Sequence, residues 1–494
     1  MQALLINPED SVAVALTDLK SGQTVSLPCG DILLKEDITR GHKFALKDIE
    51  PDELVIKYGN PIGRAKEKIA AGCHVHNHNM KTNLKGQGEY SYNKTSPVAL
   101  KKVERTFKGY VRKDGSVGIR NDIWIIPTVF CVNHVATELE LYARDCLAQY
   151  ENVDGCYALT HPYGCSQMGD DQLTTQKVLA ALSRHPNAGA VLILGLGCEN
   201  NNIGVFKQFL DLNDDRLFFL NTQDVEDELT AGTELMDKLL AKANESVRTD
   251  VPLSKLRIGL KCGGSDGLSG ITANPLIGRV SDLLVGSGGT SVMTEVPEMF
   301  GAEQLLMNRA VNEGVFNDTV KLINNFKQYF TSHGQTVSEN PSPGNKAGGI
   351  TTLEDKSLGC VQKGGKAEVN GVIEYGDTIK VNGLNLLQAP GNDGVSCSAL
   401  ATAGCHIILF STGRGTPFST IIPTIKISTN SDLFKRKGGN WIDFNAGEIV
   451  DGKDFDELAL DLLDYIIRIA SGAKSVSEKR GFHELLIWKD GVTM

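Results

Sequence analysis

The sequence predicts a multidomain α/β protein built on mostly parallel sheets. Two observations support this fold class: strand-like and helix-like segments alternate through most of the chain, and glycine-rich polar loops follow several predicted strands. A chain of 494 residues is also too long for one hydrophobic core. We therefore expect a small β domain at 1–90, a linker at 91–106, an α/β domain at 107–250 and a C-terminal α/β domain at 251–494.

The N-terminal segment has the pattern of a small β domain. Short apolar runs at 12–16, 24–27, 41–46 and 54–58 predict strands, and turns recur at intervals of roughly 8 to 12 residues. The polar stretch that follows contains Gly, Ser, Asn and Lys, which is typical of a linker.

The remaining chain alternates strands with helices, as parallel sheets with helices on their faces do. The predicted strands are 123–126, 157–159, 190–194, 257–261, 291–295 and 407–411. The predicted helices are 133–150, 172–185, 224–243, 302–313, 319–329 and 455–471. The apolar stretch 280–285 fits a helix or a strand, and 340–349 predicts a long irregular loop, which is usually functional or disordered.

Composition excludes some classes of function. The net charge is −10, from 50 basic and 60 acidic residues, which argues against a general nucleic-acid binder. No stretch is long and apolar enough to span a bilayer, and the N-terminus lacks the features of a signal peptide. The 11 cysteines form no Cys-x-x-Cys pair, which favours reduced thiols. We expect a cytoplasmic protein.

The stretch 261–278 places polar side chains in a glycine-rich turn after a predicted strand. Glycine lets a ligand approach the main chain closely, and open α/β sheets bind ligands at the carboxyl ends of their strands. Ser265, Asp266 and Asn274 are therefore candidate substrate-binding residues. A tight turn with hydrogen-bonding side chains explains the same pattern equally well.

A histidine cluster is the first candidate metal site. His74 and His76 are two residues apart, so on a strand both rings lie on one face and can bind one divalent ion. His78 shares that face if the strand continues. His42 follows a glycine in another predicted strand and by itself is more typical of a structural residue. The alternative interpretation of the cluster is a polar strand end.

Three cysteines in glycine-containing loops, Cys165, Cys198 and Cys262, are the second candidate metal site. Thiols at strand ends can ligate iron or zinc, or simply fill space. One free cysteine is usually buried and inert, but three in similar settings make metal binding a serious alternative.

Proton transfer has separate candidates. His161 and Tyr163 follow the predicted strand 157–159 and could act as acid and base. Glu295 ends another predicted strand, where it could be a base, a metal ligand or a carboxylate at a helix N-terminus.

Lys346 and Arg414 are candidates for binding an anion. Both lie in glycine-containing loops, and a guanidinium between glycines can bind a carboxylate through two hydrogen bonds. A solvated turn is the alternative for each.

Long motifs occur in a fixed order along the chain. They are His-Val-His-Asn-His-Asn at 74–79, His-Pro-Tyr-Gly-Cys-Ser-Gln at 161–167, Gly-Leu-Gly-Cys-Glu-Asn at 195–200, Lys-Cys-Gly-Gly-Ser-Asp-Gly-Leu-Ser-Gly-Ile-Thr-Ala-Asn-Pro at 261–275, Pro-Ser-Pro-Gly-Asn-Lys at 341–346 and Ser-Thr-Gly-Arg-Gly-Thr-Pro at 411–417. Together they resemble the altronate/galactarate dehydratase family over essentially the whole chain. This resemblance implies an N-terminal SAF-type β-clip domain and two Rossmann-like α/β regions.

The resemblance also implies an activity. It implies a hydro-lyase that converts D-altronate to 2-dehydro-3-deoxy-D-gluconate and water in hexuronate catabolism, with Fe²⁺ or Mn²⁺. The galactarate branch lacks paired histidines at these positions, so His74 and His76 favour altronate. Loss of the C2 proton and the C3 hydroxyl requires cationic stabilisation of an enediolate-like intermediate. The catalytic candidates are His161, Tyr163, Glu295, Lys346 and Arg414, with the general base left open.

Three alternatives remain open on the sequence. A [4Fe–4S] cluster on Cys165, Cys198 and Cys262 would suit hydroxy-acid dehydration. The substrate could be galactarate or another sugar acid, or the chain could be a sugar-acid binding protein. In each case we expect a homo-oligomer that binds a small sugar acid and neither nucleic acid nor membrane.

Overall fold

The N-terminal part of the molecule is a unit of short antiparallel strands. The computed structural model describes residues 2–84 and 86–494. The strands of this unit are β1 (Ala3–Leu4), β2 (Val12–Ala15), β3 (Thr24–Leu27), β4 (Gly30–Leu33), β5 (Lys43–Ala45), β6 (Leu54–Lys57), β7 (Asn60–Ala65), β8 (His74–Val75) and β9 (Met80–Lys81). They form a four-stranded sheet ordered β1-β2-β5-β8, a β3-β4 hairpin and a three-stranded sheet ordered β6-β7-β9.

The segment predicted as a linker is tied to the C-terminal part of the chain. Tyr90 Oη donates to Glu303 Oε1 at 2.7 Å, and Tyr92 Oη donates to the carbonyl of Ala310 at 2.6 Å. These bonds hold the segment against the surface it crosses.

The second unit is built on a parallel sheet ordered β13-β12-β14-β15. Its elements are β10 (Thr106–Val111), β11 (Val117–Gly118), β12 (Asp122–Pro127), α1 (Asn133–Cys146), β13 (Cys156–Ala158), α2 (Asp170–Ser183), β14 (Ala188–Gly195), α3 (Ile203–Phe206), β15 (Leu217–Asn221), α4 (Glu228–Asn244) and β16 (Thr249–Pro252). Strands β11, β10 and β16 form a separate antiparallel sheet.

The C-terminal unit is built on a seven-stranded parallel sheet ordered β19-β20-β18-β17-β21-β22-β23. Its elements are β17 (Arg257–Cys262), α5 (Ala273–Gly286), β18 (Thr290–Met293), α6 (Glu303–Met307), α7 (Glu313–Ser332), α8 (Pro343–Ala347), α9 (Leu353–Cys360), β19 (Val369–Ile373), β20 (Gly383–Leu387), α10 (Asp393–Thr402), β21 (Ile407–Thr412), β22 (Thr424–Ser428), α11 (Ser431–Lys437), β23 (Phe444–Asn445), α12 (Phe455–Ala470) and α13 (Val476–Lys479). The expected multidomain α/β fold class with a large parallel sheet is confirmed.

Each parallel sheet is covered on both faces, which explains its long apolar strands. In β21, Ile407 and Leu409 face the core that contains α5 and α12, whereas Ile408 and Phe410 face the core that contains α2 and α10. That second core lies between the two parallel sheets. The fully buried strand Ala188–Gly195 is likewise shared between two cores. Among the described residues, we find no helix with the length and apolarity needed to cross a membrane.

The stretch 280–285, whose sequence fits either a helix or a strand, is helical, because it belongs to α5 (Ala273–Gly286). The structure differs from the predicted elements at two places. The predicted helix 302–313 is wrong, because α6 ends at Met307 and Asn312 caps the next helix by accepting a hydrogen bond from the amide of Val315. The predicted irregular loop 340–349 contains helix α8, which Ser342 and Pro343 start as N-cap and first residue.

A buried ion cluster joins the N-terminal β unit to helix α9. Asp355 places its two oxygens 2.8 Å from Lys43 Nζ and 2.9 Å from Lys57 Nζ, and all three side chains are at most 3% exposed. Burial lowers the pKa of Lys43 to about 8 despite the carboxylate. Burial also disfavours charged Lys57, but the Asp355 carboxylate raises its pKa. One carboxylate therefore offsets the charge of two buried ammonium groups.

We expect Asp355→Ala to lower the free energy of unfolding by about 3–5 kcal/mol, because it leaves two buried ammonium groups without a counter-ion. The matched control is Asp432→Ala, which removes an ion pair with Arg40 across the same boundary, at a carboxylate that is 66% exposed. That exposed ion pair should contribute at most about 1 kcal/mol to the free energy of unfolding. Urea unfolding of both variants measures the difference, and equal losses would contradict a special role for the buried cluster.

Candidate active site

The loops after the central strands of the large sheet meet at its carboxyl edge. The amides of Gly413 and Arg414 both donate to the carbonyl of Gly264 at 3.1 Å. Asn345 at α8 donates through Nδ2 to the carbonyl of Ser265 at 2.8 Å. These bonds join the turn after β17, the turn after β21 and helix α8 into one wall.

A cavity of about 470 Å³ opens at this edge. Its lining includes Cys262, Glu295, Glu298, Lys356 and Asp393. Its volume lies within the range of small-molecule sites. Cavities of about 480 and 510 Å³ lie elsewhere, one beside β19 and one beside β15. We place the site in the first cavity because it lies at the strand ends and collects buried charged groups.

Glu295 is a buried acid at the cavity. Its Oε1 forms an ion pair with Lys261 Nζ at 2.7 Å, and Lys261 Nζ also donates a hydrogen bond to Asp393 Oδ1 at 2.7 Å. Among the described residues, the buried Oε2 of Glu295 has no hydrogen-bond partner. The backbone of Glu295 has φ +66°, a costly conformation for a non-glycine residue that is typical of functional sites. Burial, and then repulsion from Glu298, raises the pKa of Glu295 well above its usual range.

A second charged group lies beside Glu295. Cys262 Sγ is 3.0 Å from Glu298 Oε2, 2.8 Å from Lys363 Nζ and 3.4 Å from Cys360 Sγ. Lys356 Nζ contacts the other Glu298 oxygen at 2.9 Å. Burial alone would raise the pKa of Glu298, but Lys356 and Lys363 hold it well below its usual range. Two cations therefore already balance the carboxylate and the Cys262 sulfur.

The histidines form a separate cluster, to which His42 contributes. His42 Nδ1 is 3.0 Å from His74 Nε2, and the ligand atoms of His42, His74 and His76 lie within 4.8 Å of one another. Burial, followed by repulsion from neighbouring imidazoles, lowers the pKa of His74 to about 3. Burial, followed by Lys43 and His42, lowers the pKa of His76 to about 4. Neutral imidazoles in such contact suit one divalent ion.

The histidine cluster lies against the C-terminal unit. His76 Nδ1 is 2.8 Å from Thr351 Oγ1, and His42 Nε2 is 3.3 Å from the carbonyl of Ala347, at the end of α8. Next to it, a β-carbon at Gly267 would lie 1.9 Å from the carbonyl oxygen of Gly41, so glycine is required for this approach. The β unit therefore packs on the loop that follows Cys262.

Two of the groups described can be compared as metal sites. Among the described residues, groups of three or more close ligand atoms are His42, His74 and His76, and Cys262, Glu298 and Cys360. The cysteine group is already bonded to Lys356 and Lys363, whose positive charge opposes a cation. The histidine group presents neutral nitrogens and is the better fit.

The predicted cysteine triad is not assembled. Cys165 contacts Asn200, and Cys198 contacts Gln223, both at loops of the second unit's sheet. Neither belongs to a close group of ligand atoms with Cys262 among the described residues. Three cysteines at similar strand ends lie on two different sheets, which is why equivalent sequence settings did not produce one site.

Several other predicted residues are held by the protein itself. His161 is buried, with Nε2 bonded to the carbonyl of Pro127 at 2.8 Å and Nδ1 accepting from the amide of Tyr163 at 3.1 Å. Burial lowers the pKa of His161 to about 4. Asn274 is fully buried, donating to Gly359 and accepting from Ser411. Their ring and amide atoms are therefore bonded within the protein, and their roles in proton transfer and in substrate binding stay predictions.

The remaining predicted residues either support the loops from the interior or lie nearer the surface. The carboxylate of Asp266 accepts hydrogen bonds from Ser269 and Thr429, so it braces the loops. Ser265 is buried. Arg414 is exposed and lies beside Gly344, because a β-carbon added at Gly344 would be 3.8 Å from Arg414 Nε. Lys346 is half-buried in α8. Tyr163 is half-buried beside His161.

Sequence reasoning missed much of the charged floor of the cavity. This floor consists of the lining residues Glu298, Lys356 and Asp393 and of residues that contact the lining: Lys261, Cys360 and Lys363. A signal for part of it exists. Lys356, Cys360 and Lys363 are spaced by four and three residues, as on one helical face. Lys356 and Cys360 belong to α9 and Lys363 belongs to the 3-10 helix Val361–Gly364 that follows it, and both helices are largely buried. Charged residues recurring on one face of a buried helix indicate a polar site.

Family models match almost the whole chain. Residues 1–83 match the altronate/galactarate dehydratase SAF domain, 109–244 match the D-galactarate dehydratase/altronate hydrolase second domain, and 253–493 match the D-galactarate/altronate dehydratase C-terminal domain. The chain belongs to the altronate/galactarate dehydratase family. The resemblance inferred from the motifs, including the N-terminal SAF domain, is confirmed.

Known members of the family are similar over their full length. The chain is 50% identical to the altronate dehydratase of Escherichia coli (strain K12), with 100% of both chains covered. It is 51% identical to the altronate dehydratase of Bacillus subtilis (strain 168), with 99% of both covered. It is 34% identical to the galactarate dehydratase (L-threo-forming) of Escherichia coli (strain K12), with 97% of this chain and 95% of that one covered.

The amount of metal bound per chain distinguishes the histidine site from the cluster predicted on Cys165, Cys198 and Cys262. We expect His74→Ala and His76→Ala to lower Fe²⁺ or Mn²⁺ binding at least about tenfold, because each removes a ligand. Cys165→Ser and Cys198→Ser should bind metal as the unaltered protein does. Elemental analysis after anaerobic loading, with circular dichroism as a fold control, makes the measurement. Loss of iron in the cysteine variants alone would favour a cluster instead.

Proposed function

We propose that this member of the family dehydrates D-altronate to 2-dehydro-3-deoxy-D-gluconate and water. The observation that carries the proposal is the identity of half of all residues, over the full chain, with two altronate dehydratases. The galactarate dehydratase is more distant, at 34% identity. The cavity at the sheet edge has a suitable size and supplies the polar groups that the reaction needs.

The chemistry requires one proton to leave and another to arrive. The C2 proton is weakly acidic beside a carboxylate, and the C3 hydroxyl is a poor leaving group unless it is protonated. Negative charge that develops on the substrate carboxylate must be stabilised by cations in a site that excludes water. Buried lysines and a protonated carboxylic acid meet these needs.

Glu295 is our candidate for the acid that protonates the departing hydroxyl. Burial and the neighbouring Glu298 carboxylate raise its pKa, which favours the protonated form, and its Oε2 is free of protein partners among the described residues. Asp393, on the same cavity and bonded to Lys261, is our candidate for accepting the C2 proton. Lys261 contacts both carboxyl groups, so it can offset negative charge on either one during turnover.

The SAF domain supplies the metal ligands in this proposal. His42, His74 and His76 would hold Fe²⁺ or Mn²⁺, whose chemistry is Lewis-acid stabilisation of negative charge on oxygen. Arg414 and Lys346, near the joined loops, are our candidates for binding the substrate carboxylate. A cytoplasmic location and a homo-oligomeric state stay predictions.

A substrate panel tests the proposed activity. We expect a kcat/KM for D-altronate at least about a hundredfold above that for galactarate, measured anaerobically with and without Fe²⁺ or Mn²⁺. The product should be the 2-keto-3-deoxy acid. A kcat/KM for galactarate that equals or exceeds the altronate value would overturn the choice of substrate, and failure with every aldonate and aldarate would favour a binding protein.

We expect Glu295→Gln to lower kcat by about 10²–10⁴-fold, since it keeps the shape of the side chain but removes the transferable proton. KM should change little. The matched control is Glu199→Gln, a buried carboxylate at the second unit's sheet that binds Thr128 and lies off the cavity lining. A kcat in the Glu295 variant equal to that of the control would remove Glu295 from proton transfer.

We expect Arg414→Ala to cost about 2–4 kcal/mol of transition-state stabilisation, seen in kcat/KM, because a charge-assisted contact to the substrate anion is lost. Arg436→Ala, an exposed arginine on α11, serves as control and should leave kcat/KM unchanged. If the two variants behave alike, the substrate carboxylate binds elsewhere.

A further inference from the structure

Two buried thiols at the floor of the cavity have no role in the proposed chemistry. Cys262 ends β17 and Cys360 ends α9, and the two Sγ atoms are 3.4 Å apart. Their residues are 1% and 3% exposed. The two sulfurs of a disulfide are about 2.05 Å apart, so these two Sγ atoms would have to approach each other by a little more than 1 Å to form one. Cys262 faces the cavity, through which a small molecule can approach it.

The surroundings make Cys262 the nucleophile of the pair. Its hydrogen bond with Cys360, together with the charges of Lys363 and Lys261, lowers the pKa of Cys262 to about 7, although burial and the Glu298 carboxylate, 3.0 Å from the sulfur, oppose this. The same interaction raises the pKa of Cys360. Lys363 Nζ lies 2.8 Å from Cys262 Sγ, in direct contact with the sulfur that would carry the charge. A thiolate, and not a thiol, reacts with oxidants.

Other buried cysteines of the same unit lack these features. Burial raises the pKa of Cys405 to about 12 and also raises that of Cys397. Close contact between two sulfurs and a lysine ammonium therefore distinguishes Cys262 and Cys360.

We propose that Cys262 and Cys360 form a modification site at which a small peroxide oxidises the two thiols to an intramolecular disulfide. The Cys262 thiolate attacks one peroxide oxygen and the O–O bond breaks. With one proton taken up, the products are a sulfenic acid on Cys262 and one water. The Cys360 thiol then attacks the Cys262 sulfur, the S–O bond breaks, and the proton of Cys360 leaves with the hydroxyl as a second water. Two thiols are oxidised and one peroxide is reduced.

Oxidation would also change the electrostatics of the cavity. The disulfide removes the negative sulfur that Lys363 contacts at 2.8 Å and leaves it a longer ion pair with Glu298, 3.8 Å away. The Glu298–Lys356 pair and Glu295 share this charged floor. Turnover should therefore fall on oxidation and return with a thiol reductant. This consequence rests on the proposed function, whereas formation of the disulfide does not.

The test is made on the full-length protein, with and without a chelator, treated with hydrogen peroxide and then alkylated. We expect a Cys262–Cys360 cross-linked peptide after alkylation and a loss of about 2 Da in intact mass in a sample taken before alkylation, both reversed by dithiothreitol. Lys363→Met should slow the cross-linking about tenfold, because it removes the cation that stabilises the thiolate. Activity is measured after re-addition of Fe²⁺ or Mn²⁺, which separates thiol oxidation from oxidation of the metal.

Matched cysteine variants complete the design. Cys360→Ser should form no cross-link and should leave a sulfenic acid on Cys262 that dimedone traps. Cys397→Ser, at another buried cysteine, should cross-link at the unaltered rate. The proposal is overturned if peroxide consumes thiols of the unaltered protein without producing the Cys262–Cys360 peptide. This outcome can be observed without the variants, so it does not depend on whether they fold. A cross-link without loss of activity would keep the modification site and contradict its effect on turnover.

Discussion

The carboxylate of Asp355 is the constraint on which the arrangement of this molecule depends. It is buried between Lys43 and Lys57 of the SAF domain, and it belongs to a helix whose eight residues are all buried. A buried carboxylate and two buried ammonium groups are each costly to desolvate alone, so they are stable only in contact. This requirement fixes the SAF domain against α9, and the fit between them follows from charge as well as from apolar packing.

Helix α9 connects the two parts of the candidate site. Near its start, Thr351 contacts His76 of the histidine cluster and Lys43 of the ion cluster. Further along, Lys356 binds Glu298, and Cys360 at its end lies beside Cys262. Helix α9 therefore fixes the position of the candidate metal ligands of the SAF domain relative to the charged floor of the cavity. Sites supported by helices and strands keep their geometry better than sites on free loops.

Basic and acidic side chains alternate at the cavity. Lys261 lies between Glu295 and Asp393, and Glu298 lies between Lys356 and Cys262. Each cation lowers the cost of burying its acidic neighbours. Glu295, whose buried Oε2 has no hydrogen-bond partner among the described residues, has a raised pKa, whereas Lys356 and Lys363 lower the pKa of Glu298, so two neighbouring carboxyl groups are suited to different chemical roles.

The sequence by itself determined the fold class, the parallel sheets and the family, because apolar periodicity and long contiguous motifs are local properties of the chain. It also pointed to His74 and His76 through their two-residue spacing, and to Glu295 at the end of a predicted strand. Tertiary structure decided which candidates meet. Cys165 and Cys198 follow the same local pattern as Cys262, yet they lie on another sheet, and Cys262 instead contacts Cys360, almost a hundred residues away in the chain. Likewise, His161 and Asn274 carry suitable chemistry, but backbone groups and Ser411 occupy their polar atoms. Local patterns specify which groups are present, whereas contacts between distant segments decide which groups remain free to react.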